Sequence, residues 1–377
     1  MSVWKLIKLK FGRNVAHFGE LGIGIEETSE RVRSDTLFSA WITAYARLHG
    51  GDAVEELLKL FPSDVEENKR SHLTPPFRLS STFLYREVND KTIYYLPRPL
   101  QFPRNYPIDD DLGFAKTYKG LKYLPLEIWQ RWYQEEGWRE SDRLQLTCKT
   151  EKREKGYKGK ELDQTGIFSY SQAFETHKIP KVAIDRITRT PNIYYTGCVQ
   201  YQWEQNGQGV KSRSGLYFIL HLADETLEAN LRAALNLLGE EGLGGERSSG
   251  AGRFEMTWDD LPIEWHSLLN PTMNSNTSQC QSLLSLFWDN TIQPDFLHHA
   301  SYELHQRGGW VGSTTGHQRR RQVVSMFGEG SVFTGTVPLT GKLADVTPQG
   351  FATQQHGHKI YRSGIALSIP IRVLQLS

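Results

Sequence analysis

The sequence predicts a mixed α+β fold, because strand and helix patterns alternate in two separate regions of the chain. The segment VWKLIKLKF, residues 3–11, has apolar side chains at every second position, which is the period of a strand with one buried face. A helical pattern follows in residues 34–51. The segment GLYFILHL, residues 215–222, is typical of a buried strand, and leucines at helical spacing follow it in residues 226–239. The length of 377 residues suits two domains.

The composition excludes several classes of protein. The 44 Lys and Arg residues nearly cancel the 43 Asp and Glu residues, so a nucleic-acid partner would have to meet a local patch. No segment approaches the roughly 18 apolar residues of a membrane helix, and the first residues do not resemble a cleavable signal. Cys148, Cys198 and Cys280 are odd in number and widely spaced, which indicates reduced thiols, a cytoplasmic location and no structural zinc site.

The first helix is predicted from one apolar face, a polar start and a glycine end. Its apolar face is formed by Leu37, Trp41, Ala44 and Leu48, its N-cap would be Ser34 or Asp35, and Gly50 and Gly51 would end it. A second, short helix is expected at residues 52–61.

The middle of the chain is less regular in pattern. Residues 62–125 are rich in proline and aromatic residues and predict irregular hairpins and loops. Trp129, Trp132 and Tyr133 share one helical face, which predicts core packing. The charged segment 151–163 is either a solvated loop or an arm that contacts phosphates.

The most unusual segment is GEEGLGGERSSGAGRF, residues 239–254, which contains six glycines. Nucleotide-binding folds place such glycines between a strand and the helix that follows it. Here they follow a helix and precede the predicted strand 253–258, so the Rossmann fingerprint and the Walker loop are both excluded. Two interpretations stay open: a tight connection, or an anion-binding loop in which Arg247 and Arg253 meet a phosphate backbone.

Five segments together resemble one protein family. GLGGERSSGAGRF, residues 242–254, closely resembles the glycine-rich loop of the RAMP superfamily, the CRISPR-associated RNA-binding proteins. RVRSDTLFSAW (31–41) is similar to the first helix of the RAMP subunit that caps the crRNA 5′ end in type III-A (Csm) effector complexes. KVAIDRITRTPN (181–192) resembles the segment that resumes its fold after a long insertion. FGEGSVFTGTV (327–337) and HKIYRSGIALSIPI (358–371) resemble its closing strands.

The resemblance implies an α+β fold of two ferredoxin-like (RRM-like) modules with insertions and a G-rich loop. The first module would span residues 1–200, with a long insertion at about 80–180 that holds a hairpin, the thumb. The second would span residues 201–377 and carry the glycine-rich loop, 239–254, between its last helix and its last strand.

The resemblance also implies a non-catalytic subunit without cofactor that grips the repeat-derived 5′ handle of the crRNA. Its partners would be the crRNA, the large polymerase-like subunit and the backbone RAMP subunit, with no membrane. RNA contacts would come from the glycine-rich loop, from the first helix N-terminus and from two arginines, for which a salt-bridged surface is an equal alternative. The residues expected to bind RNA are Gly242, Gly244, Gly245, Arg247, Ser248, Ser249, Gly250, Gly252, Arg253 and Phe254 in the loop, Ser34, Asp35 and Thr36 at the helix start, and Arg186 and Arg189.

Two alternative functions stay open. One is the equivalent subunit of a type III-B (Cmr) complex. The other is a RAMP endoribonuclease that cuts CRISPR repeat RNA, with a histidine acting on the ribose 2′-OH. His17 and His49 are the candidates, but neither has a Lys or Tyr placed beside it by spacing, so we predict no catalysis.

Other polar clusters are weaker candidates for binding sites. The histidines at 298–299 and 356–358 lack nearby Cys or acidic partners, so we expect no metal site. Residues 109–111, three aspartates, suit a cation or a helix start equally well. The arginines at 319–321 could meet RNA phosphates or an acidic patch of a partner subunit. A scaffold without an RNA role would leave the glycines and Arg247 unexplained.

Overall fold

The computed structural model describes residues 2–20, 24–64, 73–88, 91–107, 112–150, 161–206, 209–269, 279–311, 319–335, 339–351 and 358–374. The predicted three-aspartate site and most of the charged segment 151–163 lie outside these residues. The helices are α1 (Ser34–His49), α2 (Gly51–Lys59), α3 (Leu112–Gly120), α4 (Leu126–Tyr133), α5 (Glu140–Thr150), α6 (Glu161–Gln164), α7 (Glu228–Glu241) and α8 (Ile263–Leu269).

Antiparallel strands make up the rest of the regular structure. The strands are β1 (Val3–Lys10), β2 (Val15–Ala16), β3 (Phe77–Leu79), β4 (Phe83–Val88), β5 (Lys91–Pro97), β6 (Tyr123–Pro125), β7 (Phe174–Ile184), β8 (Pro191–Tyr201), β9 (Trp203–Asn206), β10 (Gly209–Leu222), β11 (Glu255–Asp260), β12 (Gln279–Leu283), β13 (Leu304–Arg307), β14 (Val324–Phe327), β15 (Val332–Thr334), β16 (Leu343–Asp345), β17 (Tyr361–Ser363) and β18 (Ser368–Arg372).

One antiparallel sheet organises the chain up to residue 260. Its strand order is β11–β1–β10–β4–β5–β6, and β3 and β9 also pair with β10. In β1, Ile7 lies opposite Phe218 of β10 on one side and Trp258 of β11 on the other. The predicted order of strand, helix, glycine-rich loop and strand is confirmed by β10, α7 and β11.

This pairing corrects the predicted domain boundary at residue 200. β10 lies between β1 and β4, so a division at 200 would separate both strands from their central neighbour. The periodicity of a strand shows which face is buried but not which strand pairs with it, and this is why the boundary was wrong. The glycine-rich loop therefore belongs to the same unit as the first strand.

Both faces of the central sheet are covered. Helices α1 and α7 pack on the face that carries Ile7 and Phe218, and the indole N–H of Trp41 donates to the carbonyl of Leu231 at 2.8 Å. The opposite face, with Leu6, meets aromatic side chains of α4 and the C-terminal strand β18. None of the described helices is long and apolar enough to cross a membrane.

Most predicted elements are present, with two exceptions. Trp129, Trp132 and Tyr133 are fully buried, as predicted. Leu48 was expected on the buried face of the first helix, but it is 45% exposed because the helix passes the edge of the core there. The segment 62–125 was expected to form irregular hairpins and loops; it supplies the hairpin of β4 and β5, with Tyr85 opposite Tyr94, and also helix α3, which was not expected.

The C-terminal region forms smaller antiparallel sheets around its own apolar clusters. Their orders are β15–β12–β18, β13–β14 and β16–β17. This region packs against the start of α1, where the backbone N–H of Leu286 donates to Ser34 Oγ at 2.9 Å. The first helix is therefore held between the central sheet and the C-terminal region.

A long hairpin leaves the body of the protein. Strands β7 and β8 pair in unbroken register from Phe174 opposite Tyr201 to Ile184 opposite Pro191. Most of its outer half is exposed, and Ile187 in the turn is 92% exposed. The hairpin overlaps only the end of the range, 80–180, in which the thumb was expected.

Candidate nucleic-acid interface

Backbone hydrogen bonds fix the glycine-rich loop, residues 242–254, beside the end of β2. The N–H of Gly245 donates to the carbonyl of His17 at 2.9 Å, and the N–H of Gly252 donates to the carbonyl of Val15 at 2.8 Å. The loop therefore has a rigid base on the central unit, and its middle is presented to the outside.

Two of the glycines serve this internal packing. A Cβ at Gly252 would overlap the carbonyl oxygen of Leu243, and a Cβ at Gly244 would overlap the carbonyl oxygen of His17. Gly250 differs, because its φ is +85° but nothing lies within 4 Å of the place where a Cβ would stand. Among these three, only Gly250 leaves its space open to a ligand.

The tip of the loop is exposed and cationic. Residues Arg247–Ser249 form one turn of 3-10 helix, and all three are exposed, as is Arg253. No carboxylate in the described ranges pairs with either of these arginines. The guanidinium of Arg247 and the hydroxyl of Ser248 are thus presented on adjacent residues, and Arg253 is exposed just after the last glycine of the loop; all three are groups that bind phosphate oxygens.

The long hairpin contacts this tip and neutralises its acidic residue. Lys181 of β7 forms an ion pair with Glu246 and donates to Ser249 Oγ at 3.2 Å. The hydrogen bond between Lys181 and Glu246 raises the pKa of the lysine and lowers the pKa of the carboxyl, so both stay charged and paired. The net charge of the tip is therefore carried by its arginines.

The two predicted arginines of the hairpin lie in its turn. Arg186 and Arg189 are exposed, and Asp185 shapes the turn by accepting the N–H of Ile187 at 2.9 Å and the N–H of Thr188 at 2.6 Å. Neither arginine forms an ion pair within the described residues, which disfavours the alternative of a salt-bridged surface.

Phe254 is a packing residue. It is only 7% exposed, and its ring centroid lies 5.7 Å from that of Phe11 in the core. The ring has no face available for stacking, so the predicted RNA contact at Phe254 would have to come from its backbone. The aromatic residue anchors the end of the loop, and the preceding Arg253 reaches solvent.

The start of α1 also differs from the prediction. Ser34 and Asp35 are 2% and 0% exposed, so neither side chain can touch RNA. The N–H of Ser34 donates to Ser81 Oγ at 2.9 Å, and the N–H of Thr36 to Asp35 Oδ1 at 2.7 Å. These amides are therefore not available to a phosphate, and the residue before the helix, Arg33, makes no side-chain cap bond.

A cleft of about 670 Å³ lies between the glycine-rich loop, the start of α1 and the C-terminal region. It brings together some of the predicted residues and several that the sequence did not suggest. The predicted residues in its wall are Thr36, Gly242, Gly244, Gly245 and Arg247, and the additional cationic residues are Arg31, Arg33, Arg307, Arg321, Lys359 and Arg362.

Buried ion pairs form the floor of this cleft. The carboxylate of Asp35 accepts from Arg307 Nε at 2.9 Å and Nη2 at 3.0 Å, and also from Arg362. Burial alone would raise the pKa of Asp35, but the two arginines hold it below its usual value. The predicted helix-start residue Asp35 is therefore a structural anchor that joins α1 to β13 and β17.

A second buried carboxylate continues the same floor. Glu329 accepts from Arg31 Nη1 at 3.0 Å and also from Arg33. Burial opposes the ionisation of Glu329, yet the two arginines hold its pKa well below the usual value. The sequence analysis noted the segment of Glu329 only for its family resemblance and did not predict these ion pairs. No local pattern shows that a single glutamate will contact two arginines that are distant in sequence.

The candidate histidines occupy structural positions. His17 is 9% exposed, and its Nδ1 lies 2.7 Å from the carbonyl oxygen of Gly197. His49 is exposed at the end of α1, with its ring centroid 4.4 Å from that of Tyr45, one helical turn earlier, which corrects the expectation that no Tyr lies beside it. Among the described residues no cluster of three or more His, Cys, Asp or Glu could hold a metal ion.

Comparison with known families matches almost the whole chain. The model of the RAMP superfamily matches residues 22–255, and the model of the CRISPR Csm4 C-terminal domain matches residues 276–371. The Csm4 protein of Mycobacterium tuberculosis is 32% identical over 373 residues, covering 97% of this chain and 98% of the relative. The Csm4 protein of Methanocaldococcus jannaschii is 25% identical over 389 residues, covering 94% of each.

Two solved structures share the fold. A chain in the Csm3–Csm4 subcomplex of a type III-A CRISPR-Cas interference complex has a TM-score of 0.54 at 19% identity, covering 97% of this chain and 98% of that one. A chain in a Csm1–Csm4 cassette bound to pppApA has a TM-score of 0.51 at 19% identity, covering 98% of each. The two family models leave residues 256–275 between them, and β11 ends within this interval.

Proposed function

The chain belongs to the Csm4 family of the RAMP superfamily, and from this premise we propose that it is a non-catalytic, crRNA-binding subunit of a type III-A CRISPR effector complex. The observation that carries the RNA-binding role is the tip of the glycine-rich loop. Arg247 is exposed on a rigid base, has no carboxylate partner among the described residues and lines a cleft with further arginines in its wall, and Arg253 is exposed at the end of the loop. Phosphate neutralisation is the main source of affinity in such an interface.

The exposed residues of the glycine-rich loop are the proposed RNA contacts. Arg247, Ser248 and Arg253 bind phosphate oxygens of the crRNA 5′ handle, and the open space at Gly250 lets the sugar-phosphate backbone approach the loop. The remaining glycines and Ser249 hold the loop in shape. Arg186 and Arg189, at the end of the projecting hairpin, stack on bases or contact phosphates where the handle meets the guide, which is the role of a thumb.

The proposed partners follow from the family. The relatives of known structure come from a Csm3–Csm4 subcomplex and a Csm1–Csm4 cassette. We assign the corresponding contacts to this chain: a large polymerase-like subunit on one side and a backbone RAMP subunit on the other. We also propose that the chain sits at the crRNA 5′ end and works in the cytoplasm without a membrane partner.

We also propose that the chain consists of two RAMP modules. The order β1, α1, β4, β10, α7, β11, with both helices on one face of the sheet, supports assigning this region to a ferredoxin-like module. We assign residues 3–260 to that module and residues after 260 to a second, reduced RAMP module. The absence of catalysis is supported by His17, whose ring nitrogen Nδ1 is engaged by Gly197 in a buried position.

The test is to purify the tagged protein from its native cells and to sequence the 5′ ends of the RNA that co-purifies. We expect a shared repeat-derived 5′ tag and the other subunits of a type III-A complex. Subunits of a type III-B complex would correct the type. A protein that carries no RNA and cuts repeat RNA in vitro would replace the proposal by the ribonuclease, with His17 and His49 as the first residues to substitute.

A further inference from the structure

The root of the long hairpin is fixed to the base of the glycine-rich loop. His17 lies between them: its Nδ1 is 2.7 Å from the carbonyl oxygen of Gly197 in β8, and its backbone pairs with that of Gly245 in the loop. A Cβ at Gly197 would overlap the carbonyl oxygen of Glu26, so β8 is closely packed at this point. The loop and the hairpin therefore share one rigid base.

A second contact joins the two elements farther along the hairpin. Lys181 of β7 pairs with the carboxylate of Glu246 and donates to Ser249 Oγ at 3.2 Å. The side chains of Lys181 and Glu246 are 25% and 21% exposed, whereas those of Lys178 and Glu26, another ion pair of this hairpin, are 61% and 54% exposed. Charge pairs that are shielded from solvent are screened less than surface pairs. The pair of Lys181 and Glu246 is therefore the one expected to hold its partners in place.

Glu246 shapes the tip of the loop. Its φ of +57° is left-handed, a conformation in which a residue with a Cβ is strained and needs support from its surroundings. Its carbonyl oxygen accepts from the N–H of Ser249 at 3.0 Å and from the N–H of Ala251 at 3.3 Å, and Ser249 Oγ lies 3.3 Å from its carboxylate. The next residue is the exposed Arg247. The conformation of Glu246 therefore sets how the turn presents Arg247.

The part of the hairpin beyond this contact is exposed. Residues 182–193, which we call the arm, are all exposed, and Val182, Ile184 and Ile193 are each more than half exposed. Arg186 and Arg189 lie in the turn at the end of the arm. The ion pair therefore connects the arm that carries the hairpin arginines to the turn that carries the loop arginine.

We propose that Lys181 is a positioning residue for RNA binding: its ion pair with Glu246 holds the tip turn in the form that presents Arg247, and it ties that turn to the arm. A tip that is ordered before RNA arrives binds more tightly, because less conformational entropy is lost on binding. The inference rests on the proposed function, since it names the residue that sets the geometry of that interface. A lysine that simply binds phosphate is the alternative, and the two roles predict opposite effects of one substitution.

That substitution is Glu246→Gln, tested in the tagged full chain purified from native cells, with the RNA that each variant retains measured over a series of salt washes. A carboxylate repels phosphate, so its removal alone should strengthen RNA binding and free Lys181 for a phosphate of its own. The positioning role predicts the opposite. Glu246→Gln and Lys181→Gln should each reduce the RNA retained at a fixed salt concentration roughly threefold or more, the scale for ordering one side chain.

Two further variants serve as controls. The double variant of Lys181→Gln and Glu246→Gln should lose no more RNA than either single variant, because both substitutions remove the same contact. Lys178→Gln removes the same charge from the other face of β7, where Lys178 pairs with Glu26 at 3.4 Å, and it should behave as the wild type.

A second measurement follows the loop itself. Hydrogen exchange of the peptides that cover residues 242–254 is measured by mass spectrometry after nuclease has removed the RNA. We expect faster exchange in Glu246→Gln and in Lys181→Gln than in the wild type, and no change in Lys178→Gln. Lys181→Met keeps the aliphatic stem and serves where the Gln variant does not fold.

The outcomes separate this inference from the proposed function. A wild type that retains no RNA overturns both together. A wild type that retains RNA, with equal or greater retention by Glu246→Gln, overturns the inference alone, as does unchanged exchange of the loop in the Glu246 and Lys181 variants.

Discussion

The glycine-rich loop and the arginine layer, five arginines in the cleft (Arg31, Arg33, Arg307, Arg321 and Arg362), lie on opposite sides of one cleft, and they differ in how their sequences relate to their roles. The loop is conspicuous in the sequence, yet glycines such as Gly252 and Gly244 mostly fit the loop onto its own base. The arginine layer has no local pattern, yet it joins the first helix to the C-terminal region through buried ion pairs. The comparison predicts that substituting the exposed loop arginines, which have no carboxylate partner among the described residues, changes RNA binding, and that substituting the ion-paired buried arginines changes stability.

The largest loss of stability is expected when the buried ion pairs of Asp35 are removed. Asp35→Ala leaves Arg307 and Arg362 without their shared carboxylate, and removal of one partner from a buried pair costs about 3–5 kcal/mol. Chemical denaturation followed by circular dichroism measures this loss. Arg247→Ala, in the loop, is the control and should leave the midpoint unchanged. An unaltered midpoint for Asp35→Ala would show that the layer is not a stabilising element.

Acid should weaken the same layer. Because the pKa of Glu329 is lowered in the folded protein, its contribution is present above the unfolded pKa of about 4.3 and is lost as the pH falls through the folded value. Each unit of that lowering is worth about 1.4 kcal/mol. Stability measured between neutral pH and pH values below about 4 should therefore fall. The Glu329→Gln variant should be less stable at neutral pH and show a shallower fall, and an equal fall in both proteins would contradict this account.

A matched pair of glycine variants compares packing with exposure inside the loop. Gly252→Ala places a Cβ against the carbonyl of Leu243 at a φ of +78°, whereas Gly250→Ala meets only the strain of a φ of +85°. We expect about 2–3 kcal/mol of destabilisation for Gly252→Ala and about 1 kcal/mol for Gly250→Ala. Thermal unfolding measures both. Equal losses would mean that the loop base is less tightly packed than the structure indicates.

The sequence predicts the features of this protein that depend on neighbouring residues and misses those that depend on contacts between distant segments. Local patterns correctly predicted β1, α1, α7 and the order of helix, glycine-rich loop and strand, because periodicity and glycine termination act within a few residues. They missed the insertion of β10 between β1 and β4, since pairing depends on contacts between distant segments. Arg307 and Arg362 were missed for the same reason.

The smallest effect on stability, and the sharpest test of the comparison, is expected at the loop tip. Arg247→Ala and Arg253→Ala remove exposed cations without protein partners in the described residues, so each should change the free energy of unfolding by less than about 0.5 kcal/mol. If each binds one phosphate, each variant should weaken handle RNA binding and reduce the slope of log K against log salt by about 0.7. Fluorescence anisotropy of a labelled handle oligonucleotide over a salt series measures both quantities. Unchanged slopes would remove these arginines from the interface and leave the cleft floor as its cationic part.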